Sequence, residues 1–489
     1  MRKRTMIVLA ALCALAVAGV LALALRGGEA LTVPAPTEAL LRASSGLDEI
    51  ELEVAPDIAH GTAEVKQTLR LQNRAGQPLR ALALRTWANA FRTAESSPAA
   101  SDERFQACYP GGFSAGGLTL RAARVAEDAQ AAYAYDDAAQ TLLRFTLSQD
   151  WPAGEWRSVT LSYTLTVPEC AYLFGRSGGV WTLAHAFAEP AVFEDGAYRA
   201  QPWPPVGEPF DSECANYRVM LTLPQGWRAA ASAGGEEAPQ EDGTTLVRFT
   251  ALAARDFSLC LSADYTLSEA MEGGVLVRAY ALQRSGDALR YARAALADYA
   301  ARYGAYPYPC YTVAQAGFES AATALSLLDA GALDGDAEAL DWTLARETAR
   351  QWWKIAVGAD DYNQPWMDWG VSQYAALQYW SASRDRSAAQ ARWITPWLRA
   401  SLGGTLTLGC PIDWYGDTDD FYAMVCARGE ALMEALDLAL DGGLDGFLAS
   451  YYHTYAFGRA SRQGFAALLN QFSGGDWTPL LSDYLDTLQ

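Results

Sequence analysis

From residue 48 to about 266, apolar and polar residues alternate with a period close to two. Glu49-Ile50-Glu51-Leu52-Glu53-Val54, Val65 to Leu71, Ser158 to Val167 and Tyr217 to Leu223 each place their apolar side chains on one face of a strand. Turn clusters such as Asn73-Arg74-Ala75-Gly76 and Pro224-Gln225-Gly226 separate these runs. Short alternating strands between polar turns predict an antiparallel sandwich or open barrel. Beyond about residue 268 the period lengthens to that of a helix. Residues 287–302, 337–357, 366–382, 386–401, 421–438 and 461–472 carry apolar positions at helical spacing, with Gly304 as a stop and Ser461 as an N-cap. The expected fold class is α+β multidomain: an antiparallel β saddle or sandwich domain over 47–267, then a mainly helical domain over 268–489.

A different pattern marks the start. Arg2-Lys3-Arg4 and Thr5 precede twenty uncharged, mostly apolar residues, Met6 to Leu25, closed by Arg26. Twenty helical residues span roughly 30 Å, the thickness of a bilayer core. Residues 1–30 are therefore expected to be a signal anchor or a signal peptide, with Ala22-Leu23-Ala24 as the exit if the segment is cleaved. The run length favours the anchor, with the positive flank cytoplasmic and the rest of the chain outside. The expected location is the cell membrane, single-pass through residues 6–25 with an extracytoplasmic C-terminal part; alternatively the protein is secreted. Residues 31–46, with Pro34, Pro36 and Gly46, are expected to be a linker.

Composition narrows the function. The chain has 489 residues, is 51% hydrophobic and carries a net charge of −20. The first 26 residues hold four basic side chains and no acid, which leaves about −24 on the remainder. Such a surface repels phosphate backbones and excludes a nucleic-acid function. Eight cysteines, none in a C-x-x-C pair, imply mostly free buried thiols with room for one disulfide. Only three histidines occur, His60, His185 and His453, and they are too far apart for a local two-histidine metal motif. His185 and His453 are expected to be structural.

One helical segment stands out: Leu344-Ala345-Arg346-Glu347-Thr348-Ala349-Arg350-Gln351-Trp352-Trp353. Nineteen residues after Arg350 comes Trp369, within Trp366-Met367-Asp368-Trp369-Gly370. Upstream lie Tyr306-Pro307-Tyr308-Pro309 and Ala316-Gly317-Phe318-Glu319-Ser320; downstream lies Cys426-Ala427-Arg428-Gly429. The β half contributes Trp87-Ala88-Asn89-Ala90-Phe91, Tyr109-Pro110-Gly111-Gly112-Phe113 and Arg255-Asp256-Phe257. In order and spacing these segments resemble the membrane alanyl aminopeptidase family of zinc peptidases, the gluzincin aminopeptidases, over roughly residues 45–489. The likeness is to a short, bacterial-type form without the large C-terminal helical domain of longer members. It implies a thermolysin-like second domain and a cleft between the two domains.

The spacing matches and the chemistry does not. The family motif places two His at i and i+4 on one helical face and a Glu on the next helix, all binding zinc, while a motif Glu activates the metal-bound water. The two His positions here are Arg346 and Arg350, and the third ligand position is Trp369. A guanidinium stays protonated and offers a metal no lone pair. The family's transition-state tyrosine falls at Cys426, a weak hydrogen-bond donor. Glu347, at the general-base position, and Glu319, which in the family holds a substrate amine beside Gly317 and Phe318, are retained. No metal cofactor is therefore expected, although the family uses zinc. Arg346 and Arg350 together carry the formal charge of the lost ion and are expected to pair with Glu347, Glu319 or both.

Other signals are weaker. Gly-x-Ser-x-Gly occurs at Gly112–Gly116 and Gly175–Gly179, both in the β half with no helix following, so glycine-rich turns are expected rather than nucleophile elbows. An EF-hand begun at Asp417 would need Gly and Glu where Tyr422 and Arg428 stand. Trp352, Trp353, Trp366, Trp369 and Trp380 are expected to be core, with an aromatic pocket for a peptide or sugar as the alternative. The function expected is that of a membrane-tethered pseudopeptidase that binds peptides or scaffolds without cleaving. The alternatives are an active hydrolase using Glu347 with a non-standard metal or another site, and a structural ectodomain docking a membrane partner.

Overall fold

The computed structural model describes residues 31–101, 103–401 and 406–486. The proposed span at 6–25 lies outside the described residues; within them, no helix is long and apolar enough to cross a membrane.

The protein is of mixed α+β class, with an N-terminal multi-sheet β domain and a C-terminal helical region. The largest sheet has seven strands in the order Gly235–Pro239, Thr244–Ala254, Ala215–Pro224, Asp48–Asp57, Thr62–Gln72, Trp156–Thr166 and Gly117–Val125. Asp48–Asp57 runs parallel to Ala215–Pro224, and the other neighbours are antiparallel. The register sets Ile50 beside both Leu69 and Tyr217, so one face becomes a continuous apolar layer. Along Thr62–Gln72 every second residue is buried, including one polar side chain, Gln67. Gln67 donates to the Ala188 carbonyl at 2.6 Å and accepts from the Tyr163 hydroxyl at 2.7 Å, which satisfies it inside the core. Two four-stranded sheets and a two-stranded one, Phe193–Glu194 with Ala197–Tyr198, complete the β domain. In one of them, Phe174–Ser177 and Val180–Leu183 form a hairpin around Gly178 and Gly179, both at positive φ. The second Gly-x-Ser-x-Gly run is thus a tight two-residue turn of the kind that needs glycine.

A five-stranded sheet comes next: Thr266–Glu272, Val275–Ala281, Cys310–Gln315, Leu325–Leu328 and Ser320–Ala322. The boundary expected at 267/268 cuts its first strand. These strands leave no period-two trace because Cys310–Gln315 and Leu325–Leu328 are buried on both faces. Helix Ser285–Tyr303 packs on this sheet and ends at Gly304, φ 124°. The segment expected to be a linker is instead docked: Thr37 caps a short helix, Glu38–Ala43, and Leu40 is buried in the second core.

Two helices frame the site. Ala337–Arg350 starts at Asp336, whose carboxylate accepts from the Ala339 N–H at 2.7 Å, and runs into a wider π-helical turn, Gln351–Ala356. Trp366–Ser381 crosses it and meets the helix that starts at Gly429. A Cβ on Gly370 would lie 2.9 Å from the Gly429 Cα, so the glycines that end the Trp-Met-Asp-Trp-Gly and Cys-Ala-Arg-Gly segments are the contact between two helix backbones. The β domain is fastened to this framework by Arg255. Its guanidinium donates to the carbonyls of Ser212 (2.8 Å), Ile355 (2.7 Å), Ala356 (3.3 Å) and Gly458. Two of these, Ile355 and Ala356, lie at the end of the π-helical turn, where a cation is favoured, and Ala356 also accepts from the Phe457 N–H at 2.7 Å.

Candidate functional site

The i, i+4 spacing puts Arg346 and Arg350 on one face of the motif helix, and Lys354 extends the same face by one more turn. All three are buried, with Arg350 at 0% exposure. A buried cation needs a carboxylate, and five surround this stripe.

Arg350 is the hub. Its Nε donates to both Asp368 oxygens at 3.1 Å, and its Nη2 reaches Asp368 Oδ2 at 2.8 Å and Glu208 Oε2 at 2.9 Å. Its Nη1 donates to Glu347 Oε2 at 3.2 Å and more weakly to Glu208 Oε1 at 3.4 Å. The Trp369 ring lies 3.9 Å from the guanidinium carbon, in cation–π contact. Arg346 donates to Glu319 at 2.6 Å and to Glu347 Oε1 at 3.2 Å. Lys354 pairs with Glu208 and lies 3.9 Å from Asp361. Glu347 therefore has one oxygen on each arginine, and the carboxylate at the general-base position is fully engaged.

Electrostatics follow from burial. Burial pushes the Glu208 carboxyl up, but Arg350 and Lys354 together outweigh it and hold the group at about 2. Glu319 is pushed to about 7, by burial first and by Glu347, against the pull of Arg346. Asp368 is raised by burial although it shares Arg350 with Glu208, and Asp361 is raised further, with its Oδ1 left without a hydrogen bond. Three cations face five carboxylates, so protons on the raised carboxyls bring the cluster toward neutrality. Cys426, at the tyrosine position, is a buried free thiol pushed up to about 12 by burial.

Gly317, Phe318 and Glu319, the segment that the resemblance makes amine-binding, sit at the edge of this cluster. Gly317 donates its N–H to Thr182 Oγ1 at 2.8 Å, and a Cβ there would come within 2.6 Å of the Tyr172 carbonyl oxygen. Phe318 packs on Tyr172, ring centroids 4.5 Å apart. Glu319 is the most open member, with 23% of its side chain exposed, and Arg346 already holds it.

Sequence reasoning found Arg346, Arg350, Glu347, Glu319 and Trp369, and the structure brings all five together. It missed Glu208, Lys354, Asp361 and Asp368. Lys354 was legible as the third step of a basic stripe at four-residue spacing. Glu208 was not, because it lies in an irregular loop of the other domain. The remaining tryptophans, Trp352, Trp353, Trp366 and Trp380, are core. His185 is buried, paired with Glu189 at 3.0 Å and stacked on Phe210, while His453 Nδ1 contacts the Ala449 carbonyl oxygen at 2.7 Å.

The donor set does not suit zinc. Neither guanidinium has a lone pair to give, and each carboxylate nearest them is bonded to a cation. Among the described residues no group of three or more His, Cys, Asp or Glu side chains is arranged to hold a metal ion.

The same architecture occurs in solved metallopeptidases. The M1 zinc metallopeptidase from Deinococcus radiodurans superposes with a TM-score of 0.63 at 18% identity, covering 91% of this chain and 94% of that one. A mutant form of the enzyme from that organism, bound to a Tyr-Ser-Ala substrate, gives 0.62 at 17% identity with the same coverage. No family model and no curated protein matches the sequence. The chain has the two-domain M1 peptidase fold.

Proposed function

We propose that this chain is a non-catalytic counterpart of the M1 aminopeptidases, a pseudopeptidase that keeps their two-domain frame and works by binding or scaffolding outside the cytoplasm. The observation that carries this reading is the saturation of the reaction centre. Arg346 and Arg350 stand at the metal-ligand positions, and both oxygens of Glu347 are tied to them. With each oxygen accepting from a guanidinium, Glu347 is engaged in ion pairs instead of being turned toward a water. The Glu319–Arg346 pair also occupies the carboxylate that would receive a peptide amine, which favours docking through the outer surface over capture of an N-terminus in the cleft.

Metal content and aminopeptidase activity of the full-length protein test this directly, after zinc loading and dialysis. The expected result is no stoichiometric zinc and no hydrolysis of amino-acid anilides. A triple variant, Arg346→His, Arg350→His and Trp369→Glu, restores the ligand types on the same face and should retain one zinc per chain. Tightly held zinc with hydrolysis in the unmodified protein would return the molecule to the active hydrolases.

A further inference from the structure

Two cysteines lie on adjoining segments of the β domain. Cys108 ends the short helix Phe105–Cys108, and Cys170 lies in the connection between strands Trp156–Thr166 and Phe174–Ser177. The Ala171 N–H donates to the Cys108 carbonyl at 2.9 Å, so the two cysteine-bearing segments are joined backbone to backbone. Both thiols are buried, and both residues line one cavity of about 400 Å³ together with Pro110, Arg176 and Trp181.

The neighbours of this pair reach the Glu319 segment and the helical region. Arg104, one turn before Cys108, donates to the Tyr172 hydroxyl at 3.3 Å, to Thr418 Oγ1 at 2.9 Å and to the Pro205 carbonyl. Tyr172, two residues after Cys170, is the ring that packs on Phe318 beside Glu319. A covalent tie between the cysteines would hold together both segments that make these contacts.

We propose that Cys108 and Cys170 form a disulfide when the protein meets a small-molecule disulfide oxidant of the glutathione type. The Cys108 thiolate attacks one sulfur of the oxidant and breaks its S–S bond, and one glutathione thiolate leaves and takes up the proton Cys108 lost. The Cys170 thiolate then attacks the Cys108 sulfur of the mixed disulfide and expels the second glutathione, which takes the second proton. Two protein thiols lose two electrons, and the oxidant becomes two thiols. Burial pushes both thiols up, Cys108 to about 11 with Arg104 pulling it back and Cys170 higher, so Cys108 is the first attacker and closure is slow at neutral pH.

The test is peptide mapping of the full-length protein in detergent, incubated with oxidised or reduced glutathione and then alkylated under denaturing conditions. After oxidation, a peptide pair linking Cys108 to Cys170 is expected, abolished by reduction, while Cys214, Cys260, Cys310, Cys410 and Cys426 are alkylated. In Cys108→Ser, Cys170 should be alkylated under both conditions. Alkylation of both Cys108 and Cys170 after oxidation, or linkage of either one to another cysteine, would overturn the proposal.

Discussion

Replacing Arg350 by Ala removes six charge-assisted hydrogen bonds and the ring contact with Trp369 from a fully buried position. Three carboxylates lose a partner, but unequally. Glu208 keeps Lys354 and Glu347 keeps Arg346. Asp368 keeps a hydrogen bond from the Ser372 hydroxyl, at 3.4 Å, and becomes an uncompensated buried charge. The expected loss is therefore that of one orphaned buried ion, about 3–5 kcal/mol, rather than three times as much. The variant escapes part of this by keeping Asp368 protonated. A carboxyl raised in the folded state stabilises it fully below the unfolded pKa and less as pH rises, so the deficit should be smaller at pH 5 than at pH 8. Urea unfolding followed by tryptophan fluorescence at the two pH values measures both quantities. Arg350→Met, similar in length without charge, should lose a comparable amount. A loss below roughly 0.5 kcal/mol, the scale of a surface pair, would show that the lattice does not stabilise the site and refute the reasoning.

The most open carboxylate has its own signature. Glu319 is raised from 4.5 to about 7, so its contribution is complete below pH 4.5 and lost as pH climbs through 7. Over that window the wild type should lose up to about 3 kcal/mol that Glu319→Gln does not lose, and matching pH profiles for the two proteins would contradict this assignment. At the domain junction, Arg255→Ala takes a donor from four carbonyls, of which Ala356 and Gly458 keep a backbone N–H, and should cost about 3 kcal/mol, with partial recovery in Arg255→Lys. Denaturation midpoints of the two variants against wild type check it, and equal losses in both would point to planar guanidinium geometry rather than charge.

The sequence alone determined the class of each half, because sidedness leaves a period. Strands with one buried face, such as Thr62–Gln72, alternate, and helices with one buried face, such as Ser285–Tyr303, repeat at three to four residues. It also put Arg346, Arg350 and Trp369, side chains with no lone pair to offer a metal, at the spacing that the resemblance assigns to zinc ligands. Tertiary structure alone decided which carboxylates those arginines meet. Strands such as Cys310–Gln315, buried on both faces, carry no alternation to read. Glu208 arrives from a loop of the β domain, 142 residues from the arginine it serves. Asp368 was in view beside Trp369, but nothing local distinguishes a carboxylate aimed at Arg350 from one in solvent. Ion pairing depends on distance in space, and local sequence periodicity reports only which face of one element is dry.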